Sequence, residues 1–205
     1  MKRNLKFGFK IGASALVIAC MLGVTACSSS GNDENATCIL LTRDGKIQSS
    51  IVESFEQSYY DKEELQQTIL SEAATYNKSA GNGNITVEKV EVKNGTARVQ
   101  MTYAEPEDYA AFNQTDFFVG TADEAQADGY DLNVVLSSVK NSSETVGKAD
   151  ILGMKDAKLL ITDINDAVTL NGRVVYVSEN VTVSENAKTI QRTPDSEKKA
   201  YVIFK

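Results

Sequence analysis

The sequence predicts an α+β protein: an antiparallel sheet built from hairpins, one long and two short helices, and a β-rich C-terminal part. Three observations carry this. The tight-turn dipeptides Asp44-Gly45, Asn94-Gly95 and Asn171-Gly172 each sit between stretches rich in β-branched residues. After Asp61, apolar residues recur at helical spacing. From residue 157 onward the chain reads as short strands separated by turn residues.

Ahead of the fold lies a separate stretch. Lys2, Arg3, Lys6 and Lys10 make a basic start, an apolar run covers residues 11–24, and Val24-Thr25-Ala26-Cys27 closes it. The run of about fourteen residues falls short of the roughly twenty that a spanning helix needs. Basic, apolar and small-residue sections in that order are the layout of a secretory signal. The tetrapeptide resembles the lipobox of bacterial lipoproteins, where an aliphatic residue and two small residues precede the cysteine that receives lipid. The resemblance implies cleavage after Ala26, diacylglycerol and in some cases a further acyl chain on Cys27, and no other cofactor. It places the domain at the cell membrane, lipid-anchored on the outer, extracytoplasmic face. Two or three acyl chains, at about 0.8 kcal/mol per buried methylene, suffice for anchoring. Val17-Ile18-Ala19-Cys20 fits less well because Ile18 is bulky. An uncleaved anchor would leave the domain on the same side.

The expected organisation is a signal peptide over 1–26 and a lipidated cysteine with a small, polar tether over 27–36. An α+β lobe with a ββαββα pattern covers 37–136, a serine-rich loop or linker 137–148, and a β-rich part packed on the first lobe 149–205.

Taken in order, residues 37–42 and 46–55 form a hairpin across Arg43-Asp44-Gly45. A helix starts at Asp61, a good N-cap, with Glu63 and Glu64 at its positive end. Leu65, Ile69, Ala73 and Tyr76 make its buried stripe, and Gly81 and Gly83 end it. A second hairpin pairs 85–93 with 96–103 across Asn94-Gly95. The apolar phase of its first strand switches from Ile85 and Val87 to Val90 and Val92, which calls for a bulge near Glu88-Lys89. Pro106 opens a short helix with Tyr109 and Phe112 on its inner face. Phe117-Phe118-Val119 is a short buried strand, and Thr121-Ala122-Asp123-Glu124 is a capping box for a helix that stops at Gly129. Later strands cover 157–162, 167–170 and 173–177, the last two a hairpin across Asn171-Gly172, then 181–183 and 187–191. The run 200–204 is apolar throughout and therefore central.

Composition excludes more than it names. The chain has 21 basic and 28 acidic residues, and cleavage after Ala26 would remove four basic ones and no acid, leaving 17 against 28. Such a surface repels nucleic acid, so none is expected as a partner. Histidine is absent, which removes the commonest general base and zinc ligand, and without tryptophan a sugar-stacking platform is disfavoured. With Cys20 removed and Cys27 lipidated, Cys38 is expected to be a small buried hydrophobe rather than half of an intrachain disulfide.

Five segments, Ile51-Val52-Glu53-Ser54-Phe55, Tyr59-Tyr60-Asp61, Asp108-Tyr109-Ala110-Ala111-Phe112-Asn113, Val175-Tyr176-Val177-Ser178 and Ala200-Tyr201-Val202-Ile203-Phe204-Lys205, carry a wider resemblance. The exported part resembles a family of uncharacterised lipoproteins of anaerobic, Clostridia-type Gram-positive bacteria. The resemblance implies location and carries over no activity.

No catalytic residue and no metal site is expected. Ser137-Ser138-Val139-Lys140 and Ser196-Glu197-Lys198-Lys199 have the Ser-x-x-Lys spacing of penicillin-recognising enzymes, without the companion motifs. The acidic clusters, Glu105 with Glu107 and Asp108, Asp123 with Glu124, Asp128 with Asp131, and Asp163 with Asp166, read as caps and turn residues. Asp163-Ile164-Asn165-Asp166 begins like a calcium loop but continues with Ala167 and Val168 where a ligand and a glycine belong. Tyr59, Tyr60, Tyr109 and Phe112 are the candidate lining of a ligand groove, set against an ordinary role in the core. The expected function is a membrane-anchored, non-catalytic binding module of the cell envelope, engaging an envelope protein or a cell-wall component. The rivals are a small-ligand receptor or transport accessory lipoprotein, and a carboxylate-dependent envelope hydrolase.

Overall fold

The structure, a computed structural model, describes residues 36–57, 60–80, 83–194 and 196–205. The signal stretch, Val24, Thr25, Ala26, Cys27, the tether up to residue 35, Tyr59 and Gly81 lie outside the described residues. The described chain is α+β. In order it runs β1 (Cys38–Leu41), β2 (Ile47–Ser54), α1 (Lys62–Ala80), β3 (Ile85–Lys93), β4 (Thr96–Tyr103), α2 (Pro106–Asn113), β5 (Phe117–Gly120), α3 (Ala122–Ala127), β6 (Leu136–Ser138) and β7 (Thr145–Val146). Then come α4 (Lys148–Gly153), β8 (Lys158–Thr162), β9 (Ala167–Thr169), β10 (Val174–Val177), β11 (Val181–Val183), β12 (Thr189–Arg192) and β13 (Ala200–Phe204).

The strands form two sheets, ordered β11-β12-β9-β1-β2-β4-β3 and β5-β8-β13-β10-β6-β7. Pairing is antiparallel except between β1 and β9, which run parallel with Cys38 opposite Ala167. One core lies between the sheets. Ile39, Leu41, Val99, Met101, Val168 and Ile190 of the first meet Leu160, Val174, Val202 and Phe204 of the second, and α1 and α2 add Ile69, Ala73 and Tyr109. A second core covers the other face of the second sheet, where Leu159, Ile161, Tyr201 and Ile203 meet Ala122 and Ala125 of α3 and Ile151 of α4. Successive residues of β13 thus enter opposite cores, which is why this strand, between β8 and β10, has no polar position.

The early elements follow their local signals. Gly45 takes φ +87° in the β1–β2 turn, where Thr42 Oγ1 donates to Asp44 Oδ1 at 2.6 Å. Glu64 N donates to Asp61 Oδ1 at 2.8 Å, so Asp61 caps α1. Asn94 and Gly95 take φ 52° and 69°, the left-handed pair a two-residue hairpin requires. The β3–β4 register slips between Val87 and Lys89, with Glu88 as the extra residue. Thr121 and Glu124 cap α3 reciprocally.

Other readings need correcting. Asn171-Gly172 joins no hairpin, because β9 belongs to the first sheet and β10 to the second. The glycine serves close approach instead: a Cβ there would lie 2.6 Å from the Lys205 carbonyl oxygen, and Arg173 N donates to that oxygen at 2.6 Å. Gly172→Ala is therefore expected to cost about 1–3 kcal/mol by thermal melting. Gly153→Ala, where nothing lies within 4 Å, is expected to be near neutral. Among the described residues three short helices accompany α1 rather than two. The additional one, α4, starts with Gly147 N donating to Asp150 Oδ2 at 3.0 Å and buries only Ile151, too little for a periodic signal. Residues 137–148 contribute to β6, β7 and the start of α4 and separate no lobes. Residues 149–205 supply β9, β11 and β12 to the first sheet and β8, β10 and β13 to the second. Cys38 is buried as expected, but it is disulfide-bonded. The other two cysteines, Cys20 and Cys27, lie outside the described residues.

Candidate functional site

The described members of the aromatic set, Tyr60, Tyr109 and Phe112, occupy two separate places. Tyr109 is 7% exposed, its ring 5.0 Å from those of both Tyr103 and Phe117. Phe112 meets Tyr76 edge-on at 5.8 Å. These rings fasten α2 to α1, β4 and β5. Tyr60 stands apart from them and stacks on Phe55 at 4.8 Å.

Beside this cluster sits a buried carboxylate. Asp108 Oδ1 accepts from Tyr76 Oη at 3.0 Å and from Asn84 Nδ2 at 2.9 Å, while Oδ2 has no partner among the described residues. Burial, and then the bond to Asp108, pushes the Tyr76 hydroxyl up to about 12. The neighbouring Asn77 donates to the Ile85 carbonyl and accepts from its amide, both at 2.8 Å, and so stands in for a paired strand at the edge of β3. A comparable knot holds the approach to β13. Arg192 Nη1 donates to the carbonyls of Ser196 and, at 3.3 Å, Lys198, and Asn180 Nδ2 donates to the Lys198 carbonyl at 2.9 Å. These polar groups join elements.

The remaining sequence candidates also resolve into structural roles. Ser137 lies in β6, so Lys140 is not one helical turn from it. Ser196 accepts from Asn180 at 3.1 Å, and Lys199 pairs with Asp116 at 2.7 Å. Asp163 Oδ1 accepts from the Thr115 hydroxyl and from Asp116 N, tying its loop to the start of β5. Asp123 pairs with Lys155 at 2.7 Å, and Asp131 Oδ1 takes the amide of Asn133 at 2.8 Å in a local turn. Among the described residues, no group of three or more histidine, cysteine, aspartate or glutamate side chains is placed to hold a metal.

One surface feature escaped the sequence reading. On the outer face of the β3–β4 hairpin, Lys89, Glu91, Lys93, Asn94, Thr96 and Arg98 line an open depression of about 290 Å³. The register assembles it, with Lys89 opposite Gln100, Glu91 opposite Arg98 and Lys93 opposite Thr96. The bulge matters here, because it turns residues 89, 91 and 93 outward while Val90 joins Val99 at the core. Lys89 Nζ lies 3.1 Å from Glu91 Oε2. Lys89 first, then Lys93 and Arg98, hold the exposed Glu91 carboxyl below its ordinary range. Three cations thus surround one carboxylate on an otherwise acidic chain.

Compared with protein-family models, with curated proteins and with solved structures, the chain matches none.

Proposed function

We propose that this chain is a lipoprotein, held by lipid on Cys27 at the extracytoplasmic face of the cell membrane, whose α+β domain binds an envelope protein or cell-wall component and performs no chemistry. The observation that carries this reading is Val24-Thr25-Ala26-Cys27 behind a basic start and an apolar run too short to span. Two structural facts support it. Among the described residues no helix is long and apolar enough to cross a membrane. The buried ionisable side chains Asp108 and Arg192 are engaged in joining elements. The excess of acidic over basic residues disfavours nucleic acid as a partner. We place the chain with the lipoproteins of anaerobic Gram-positive bacteria that its exported segments resemble.

Palmitate labelling tests the anchor. The wild-type chain is expected to label and to sediment with membranes, and Cys27→Ala to lose the label completely. A variant that still labels and stays in the membrane fraction would sink the lipobox assignment. Intact mass before and after reduction adds a second readout, since one sulfur cannot carry both a thioether and a disulfide. Cys38 is disulfide-bonded and the other cysteines of the chain are Cys20 and Cys27, so a Cys27–Cys38 bridge would exclude the lipid and a Cys20–Cys38 bridge would exclude cleavage after Ala26.

A further inference from the structure

We propose that the bulge at Glu88 guards the edge of the first sheet against pairing with a second copy of this chain. An edge strand presents unpaired amides and carbonyls, a template on which another strand can add. β3 is the outermost strand on its side of the first sheet and is nine residues long. Asn77 takes the outward amide and carbonyl of Ile85. By the alternation of an antiparallel ladder, Val87, Val90 and Val92 turn theirs the same way. Among the described residues, none of these groups bonds to backbone outside the sheet.

The core does not require the extra residue. Val87 lies opposite Met101, Lys89 opposite Gln100 and Val90 opposite Val99, so Glu88 is the one left over, and its side chain is exposed. With Glu88 present, the bulge keeps the later residues in phase. With Glu88 removed, nothing is out of phase: Ile85, Val87, Val90 and Val92 alternate with Thr86, Lys89, Glu91 and Lys93, and the same apolar residues face the core.

What Glu88 changes is the outer edge. Without it the strand reads Thr86-Val87-Lys89-Val90-Glu91-Val92-Lys93, which complements itself about Val90. Laid antiparallel on a second copy, Val90 meets Val90, Lys89 meets Glu91, Val87 meets Val92 and Thr86 meets Lys93. Valine then faces valine on one side of the ribbon and lysine faces glutamate on the other, both favourable cross-strand pairs. The valines also carry the outward backbone groups, so their pairs are the hydrogen-bonded ones. With Glu88 in place, the same alignment sets Glu88 against Val92 and Val87 against Lys93. The match then stops at Lys89-Val90-Glu91, too short a ribbon to hold two chains together.

The test deletes Glu88 from the full chain and measures the protein mass in detergent by light scattering. The deletion is expected to double the mass relative to the wild type, and to melt no earlier than the wild type. Glu91→Lys, on the outer face away from the core, sets a lysine against Lys89 of the second copy. Added to the deletion, it is expected to restore the wild-type mass. An unchanged mass on deletion of Glu88, or a doubled mass that survives Glu91→Lys, overturns the proposal. So does a deletion variant that is unfolded or melts well below the wild type, because the bulge would then serve the fold itself.

Discussion

Phe204→Ala is expected to lower the melting temperature by roughly 10–15 °C. Phe204 is 2% exposed, near the end of β13 and in the core between the two sheets. Removing a buried phenylalanine side chain costs about 3–5 kcal/mol in lost transfer energy plus the cavity left behind. For a chain of this size each kcal/mol moves the midpoint by about 2–4 °C. Little can collapse into the gap. Phe204 pairs with Val174 on one side and Lys158 on the other, so its backbone is held by both neighbouring strands. Ile203→Val, one residue earlier and in the other core, removes a single methylene and is expected to cost about 0.5–1.5 kcal/mol. A similar loss for both variants, read by calorimetry, would contradict the description of β13 as the shared wall of two cores.

Asp108→Ala should be the most damaging polar substitution, at about 2–4 kcal/mol. It removes the acceptor for both Tyr76 Oη and Asn84 Nδ2, leaving two half-buried donors without their partner beside the cavity left by a buried side chain. A double-mutant cycle with Tyr76→Phe isolates the shared bond, and a coupling near zero would show that the two groups act independently. The same pair has a pH signature. Tyr76 in the fold titrates near 12, above its ordinary 10. The folded state therefore binds the phenolic proton more tightly than the unfolded chain does. That stabilisation is complete below about pH 10 and is lost as pH rises towards 12. Burial pushes Tyr103 and Tyr109 upward too, which adds to the alkaline decline. Urea midpoints measured between pH 8 and pH 11 are expected to fall, and to fall less steeply in Tyr76→Phe, which has no hydroxyl to titrate.

What could be read from the sequence was local. Asp61, Asn94-Gly95, Pro106 and the Thr121–Glu124 box act within one turn of themselves, and each sits where its chemistry placed it. The phase change between Val87 and Val90 even located the bulge. Long-range pairing was not legible. Nothing in residues 167–177 marks the passage from one sheet to the other, because Asn-Gly suits both a tight turn and a close backbone contact. The aromatic set shows the same limit. Helical spacing put Tyr109 and Phe112 on one face of α2, but whether that face meets a groove or a core depends on β4 and β5. The cationic depression needed two steps that were each available, the Asn94-Gly95 register and the bulge. Combined, they would have set Lys93, Glu91 and Lys89 beside Thr96, Arg98 and Gln100.

The wiring of the two sheets also governs when this protein can fold. β1 waits for β9 as its parallel neighbour, and the second sheet is split down its middle until β13 arrives between β8 and β10. Loop closure on that scale is slow compared with local turn formation. As the chain emerges from N-terminus to C-terminus, the β1–β2 and β3–β4 hairpins can form early, but neither core closes before residues 200–204 are delivered. A polypeptide wired in this way holds no more than local hairpins and helices during its synthesis, and becomes compact in one late step.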